Sequence, residues 1–146
     1  MNGWRRVVFD TSTLVSAALR VGSTPHRVVA KSLAVGQICV SASTLAELEL
    51  VLARPKFDRY QLPDVRLAFF ALVRQHAVCF EVTAEHKTQA TPPCRDPKDD
   101  PFLALCIACD ADALVSSDED LLVLHPWNGM PILKPADFET RLEHTA

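Results

Sequence analysis

The chain has 146 residues, 49% of them apolar and 23% charged, with four glycines and a net charge of −3. That is the balance of one globular domain, which excludes a disordered or fibrous chain and is too short for two separate cores. The longest apolar runs, residues 67–73 and 102–109, hold seven and eight residues, far below the roughly 18 that a membrane span needs. Only Val7, Val8 and Phe9 separate Arg5-Arg6 from Asp10, too short a core for a secretion signal, so a single domain in the cytoplasm with no membrane partner is expected over residues 1–146.

Short apolar runs at 7–9, 38–40, 78–82 and 113–115 alternate with segments of helical periodicity. This pattern predicts an α/β domain with a central, mostly parallel sheet whose strands are apolar on both faces because helices cover both sides. Helices are predicted at about 13–19 and 25–33, broken and capped by Gly22-Ser23-Thr24. Ser41 caps the next, whose stripe is Leu45, Leu48, Val51 and Leu52 and whose end is Arg54-Pro55. A helical pair at about 63–76, a strand, a Pro-rich loop at 91–98 and a helix opened by Asp100-Pro101 follow. The last third is predicted as a strand at Leu114, a short acidic helical turn from Asp118, a Pro/Gly loop to Pro131, an edge strand at Ile132-Leu133 and a terminal helix.

Five cysteines without disulfide-like spacing suit a reducing compartment. Cys106 and Cys109 form a C-x-x-C, but they lie in an apolar helical run with neither a second pair nor a spaced histidine pair, so they are expected to be core residues rather than a zinc or redox site.

Charge is distributed unevenly. Residues 96–120 contain eight acids and one base, Lys98, inside an otherwise mildly basic chain, an asymmetry that suits a cation site facing a polyanion. In open α/β sheets ligands bind at the carboxyl ends of strands. Asp10 ends the first predicted strand, Asp118 follows the strand at Leu114, Asp100 opens a helix, and Glu47 sits at the margin of an apolar helix stripe. Each also has a purely structural role as a cap or a solvated residue. Together at one sheet end they would repel one another unless a cation lay between them, and an all-oxygen set suits Mg²⁺ or Mn²⁺ rather than zinc.

The segments V-V-F-D-T-S-T-L-V-S-A, S-T-L-A-E-L-E-L-V-L-A-R-P-K-F, D-P-K-D-D-P-F-L-A-L and A-D-A-L-V-S-S-D-E-D-L-L, in this order, resemble the PIN domain, in its bacterial branch of toxin components of toxin–antitoxin pairs. The resemblance spans residues 6–138. It implies a three-layer α/β/α fold and a Mg²⁺- or Mn²⁺-dependent ribonuclease, with Asp10, Glu47, Asp100 and Asp118 as metal ligands and catalytic acids, Ser116 as a small hydroxyl residue and Asp120 as an additional acid. Ser12 departs from the pattern, since many relatives carry Asn there. Asp100 is preferred over Asp99 as third acid: with Pro101 first in the helix, Asp100 is the cap on the face of Leu103, Ala104 and Ile107, while Asp99 is expected to be freer to point to solvent.

The expected function is hydrolysis of RNA phosphodiesters, with RNA as substrate, an antitoxin protein and a second copy of the chain as candidate partners, and no organic cofactor. The competing function is a non-catalytic nucleic-acid- or partner-binding module. A phosphatase using Asp10 as nucleophile would want a second Asp at position 12, where this chain has Ser12. Leu50 and Phe69-Phe70 are candidate interface positions, and Arg20, Arg27, Lys31, Arg54, Lys56 and Arg59 a candidate phosphate rim.

Overall fold

A computed structural model describes residues 4–144. The first strand, β1 (Arg6–Phe9), is a run of β-branched and aromatic residues that ends where the Asp10 side chain accepts the Thr13 N–H and starts α1 (Thr11–Leu19). Ser23 caps α2 (Thr24–Val35) in the same way. Gly36 closes α2 where a Cβ would meet the Trp4 and Arg5 carbonyl oxygens at 3.1 Å, so a larger residue there would press on the chain entering β1. After β2 (Gln37–Val40), Ser41 and Thr44 form a reciprocal capping box on α3 (Ala42–Leu52).

Residues 63–76 are a single helix, α4 (Pro63–His76), rather than the expected pair, because no Gly or Pro follows Pro63 to break it. The strand expected over 78–82 is only β3 (Val78–Cys79). Its partner β2 ends at Val40 and turns into α3, so after the Phe80 N–H bonds the Val40 carbonyl there is no ladder left to extend. The short α5 (Ala84–Gln89), capped by Thr83, buries none of its residues and so carries no apolar stripe for periodicity to reveal. The remaining elements are α6 (Asp100–Cys109), β4 (Ala113–Val115), α7 (Glu119–Leu122), β5 (Ile132–Leu133) and α8 (Pro135–His144).

The five strands are ordered β3-β2-β1-β4-β5 and every neighbouring pair is parallel. Successive strand residues point to opposite faces, and the core divides accordingly. Val7, Phe9, Ile38, Val40 and Val115 pack with α1, α2, α3, α4 and α8, while Val8, Cys39, Leu114 and Ile132 pack with α6, Leu121 and Trp127. The result is the three-layer α/β/α sandwich the sequence implied. Cys106 and Cys109 lie within the second face of that core. Among the described residues no helix is long and apolar enough to cross a membrane.

Candidate metal centre at the switch point of the sheet

The chain leaves β1 toward β2 and β3 on one side and returns to β4 and β5 on the other, so strand order reverses between β1 and β4. Crevices in open parallel sheets form at this switch point, beyond the carboxyl ends of the strands. The register places Phe80, Ser41, Asp10, Ser116 and Lys134 side by side as the residues following β3, β2, β1, β4 and β5. Asp10 and Ser116 therefore flank the switch point.

Asp10 is 3% exposed and held on both oxygens. Oδ1 accepts the Thr13 N–H at 2.9 Å, and Oδ2 accepts the Ser116 hydroxyl, with the exposed Ser12 hydroxyl at 3.4 Å. The Ser116 Oγ in turn accepts the Asp118 N–H at 2.9 Å. One hydroxyl thus fixes the spacing of two carboxylate residues from neighbouring elements. Burial pushes the Asp10 carboxyl up; the hydrogen bonds from Ser116 and Thr13 oppose this, and the Asp118 charge adds to it.

Asp118 caps α7, its Oδ1 accepting the Asp120 N–H at 2.9 Å. Its carboxyl also meets that of Asp99. Partial burial, the hydrogen bond with Asp118 and the charges of Asp118, Asp96 and Asp10 push the Asp99 carboxyl up to about 7. Two facing carboxyls raise the pKa of one of them because both cannot ionise cheaply.

The structure thus differs from the expectation at the start of α6. Asp99, not Asp100, occupies the cap position, with Pro101 as second helical residue. Asp99 does not turn to solvent but faces Asp118, whereas Asp100 accepts the Cys94 N–H at 2.8 Å and ties down the preceding loop. Asp96 is an acid that the sequence reading passed over. It caps a 3₁₀ turn (Pro97–Asp99), where three residues per turn set Asp96 above Asp99, and ligand oxygens of Asp96, Asp99 and Asp120 lie within 4.8 Å of one another. The available signal was Asp-Pro at 96–97, a cap followed by the residue preferred at the first helical position. Arg95 pairs with Asp120 at 2.9 Å, and the buried Cys94 thiol lies 3.8 Å from an Asp99 oxygen.

Glu47 is half-buried on α3, beside the buried Thr44 and Leu48, and α3 packs against α1, whose cap is Asp10. Of the candidate rim cations, Arg27 is engaged by Glu139 at 2.8 Å. Leu50 is exposed, whereas Phe70 is buried in the core.

The donor set is all oxygen, and a cation beside Asp99 and Asp118 would relieve the repulsion that pushes the Asp99 carboxyl up, so the residues fit a hard divalent ion. A sequence profile of the PIN domain matches residues 6–120. The chain belongs to the PIN domain family. Two solved structures similar to this PIN domain are VapBC2 from Rickettsia felis bound to a DNA fragment from its promoter (12% identity, TM-score 0.62, covering 87% of this chain and 96% of that one) and Mycobacterium tuberculosis VapC20, a toxin that cleaves the sarcin–ricin loop (17% identity, TM-score 0.54, covering 82% and 95%). At such identities these likenesses speak for the shared fold. Comparison with the curated proteins finds no match.

Proposed function

We propose that this PIN domain is a Mg²⁺- or Mn²⁺-dependent endoribonuclease, the toxin of a toxin–antitoxin pair, acting through Asp10, Asp99 and Asp118. Glu47 on α3 is the candidate further ligand from that side, Asp120 and Asp96 lie beside Asp99, and Asp100 holds the loop before α6. The observation that carries the reading is the gathering of carboxyls at the sheet's switch point, where Ser116 links buried Asp10 to Asp118 and oxygens of Asp96, Asp99 and Asp120 lie within 4.8 Å of one another. Such a divalent ion, when bound, neutralises phosphate charge and acidifies water at neutral pH.

The chain's own residues preorganise the site. Thr13 and Ser116 lock the Asp10 rotamer, so little side-chain freedom remains to be lost on binding. Ser116 also fixes Asp118 relative to Asp10, and Ser12 offers an exposed hydroxyl toward a substrate phosphate. The solved relatives, one an RNA-cleaving toxin and one a toxin–antitoxin complex, support RNA as the substrate and an antitoxin as partner.

Incubation of purified protein with varied single-stranded RNAs and millimolar Mn²⁺ tests the proposal. Cleavage that EDTA abolishes is expected. RNA that is bound but left intact under these conditions identifies a non-catalytic binding module instead.

A further inference from the structure

One strand position away from Asp10, the crevice widens into a cavity of about 1060 Å³ between the start of α3, the chain joining β3 to α5, and α6. This exceeds the roughly 300–1,000 Å³ of clefts that enclose small ligands. Its walls are mostly apolar, Phe80 and Pro97 among them, and its polar residues include Ser41, Ser43, Lys87 and two carboxylates, Glu81 and Asp100. The acidic centre occupies the β1 and β4 side of the row of strand ends; the cavity takes up the β2 and β3 side.

We infer that this cavity seats an unpaired nucleobase of the RNA strand cut at the neighbouring carboxylates, with Phe80 as its stacking surface; the inference rests on the ribonuclease reading above. Position is the first argument. Phe80 follows β3, two strand spacings or about 10 Å from Asp10 along the row, and Asp100 joins the two regions because it lines the cavity and adjoins Asp99. A strand whose phosphate lies at the acids therefore carries its next base over the cavity.

The second argument is chemical. A base has two apolar π-faces and stacks on aromatic rings without regard to sequence. Phe80 is held in place for this, its N–H bonded to the Val40 carbonyl and its ring under the Arg6 guanidinium at 5.5 Å. The charged backbone has partners at the same opening: the first-turn amides of Ala42 and Ser43, which no carbonyl inside the eleven-residue α3 can satisfy, and the exposed Lys87. A duplex cannot enter, since its bases are stacked and paired.

Cys79 lines this cavity and is exposed while Cys39, Cys94, Cys106 and Cys109 are buried, so its alkylation reports occupancy without any reference to turnover. Iodoacetamide labelling of Cys79 is followed by mass spectrometry with Ca²⁺ in place of Mn²⁺, in the presence of a short single-stranded RNA, an abasic ribose-phosphate chain of equal length, or a blunt RNA duplex. Single-stranded RNA is expected to slow labelling at least about fivefold, and the other two to leave it unchanged. Phe80→Leu, checked by its melting curve, should need about tenfold more RNA for the same protection. Lys87→Ala, at an exposed position and likewise checked by its melting curve, should need severalfold more.

Equal protection by the abasic chain or the duplex overturns the inference. So does unprotected Cys79 with an RNA that the protein cleaves in Mn²⁺, or wild-type protection in folded Phe80→Leu and in Lys87→Ala. Protection that appears only on adding a partner protein overturns it in favour of a protein segment. If the wild type neither binds nor cleaves RNA, the ribonuclease reading itself falls and takes this inference with it.

Discussion

Replacing Asp99 by Asn removes one of the two facing carboxyls while keeping a group that can donate to Asp118. In the native protein the Asp99 carboxyl keeps its proton up to about pH 7, whereas in the unfolded chain it releases it near pH 4. Between those values the folded state binds more protons than the unfolded state, so the stability this group contributes is fully present below about pH 4 and is lost as pH rises through 7. A shift of this size carries at most about 4 kcal/mol, and solvent reaching the half-buried site screens it to about 1–2 kcal/mol.

Asp99→Asn has no proton to lose. In EDTA it should match the wild type at pH 4 and exceed it by about 1–2 kcal/mol at pH 8, or about 3–6 °C in melting temperature for a domain of this size. Saturating Mn²⁺ should reverse the order. An ion at 100-fold its Kd stabilises the wild type by about 2.7 kcal/mol, a gain the variant loses with its ligand. The assay is thermal or urea unfolding of both proteins at pH 4, 6 and 8 with EDTA or Mn²⁺. A difference between the proteins that is the same at pH 4 and pH 8, or an equal Mn²⁺ stabilisation of both, would refute the shared-charge reasoning.

Activity separates the two adjacent acids. Asp99→Asn should lower Mn²⁺-dependent cleavage by on the order of a hundredfold, while Asp100→Asn, whose amide oxygen can still accept the Cys94 N–H, should stay within a few-fold in kcat; the opposite ranking would place Asp100 in the metal set. Ser116→Ala strips the hydroxyl that links Asp10 to Asp118, and calorimetric titration should find Mn²⁺ affinity about 10- to 100-fold weaker, with unchanged affinity contradicting the bridging role. Away from the site, Leu103→Ala empties a fully buried position on α6 and should cost about 2–5 kcal/mol in urea unfolding, a value under about 1 kcal/mol showing that the second core face is loosely packed. Asp58→Asn leaves the buried Arg66 guanidinium without its 2.6 Å ion-pair partner and should destabilise by about 1–2 kcal/mol, reduced from the cost of a fully buried pair because Asp58 itself is exposed; no change in the unfolding midpoint would mean that Gln61 and solvent suffice for Arg66.

Much of the fold was legible because local chemistry and global architecture agree. Apolar triplets such as Val7-Val8-Phe9 and Ala113-Leu114-Val115 are covered on both faces only in a parallel sheet, and caps at Ser23, Ser41 and Asp118 mark helix starts by hydrogen bonds spanning three residues or fewer. For the same reason Asp10 and Asp118 could be placed at strand ends from sequence. The two-residue β3 and the stripe-free α5 could not be read so well. One depends on where its partner strand turns away, and the other has no buried face to imprint a period.

The start of α6 shows where sequence reasoning runs out. A helical wheel assigns a face at about 100° per residue, but Asp99 and Asp100 sit where a 3₁₀ turn meets an α-helix, so a wheel drawn for the α-helix does not extend to Asp99. Sequence alone determined that this acidic segment would lie at the strand ends and that carboxyl groups would gather there. Which carboxyl faces Asp118, and which one holds a loop, was decided by contacts with residues far along the chain, Asp118 across the sheet's switch point and Cys94 in a loop fixed by its own packing, and no local pattern encodes the balance of charge and burial between them.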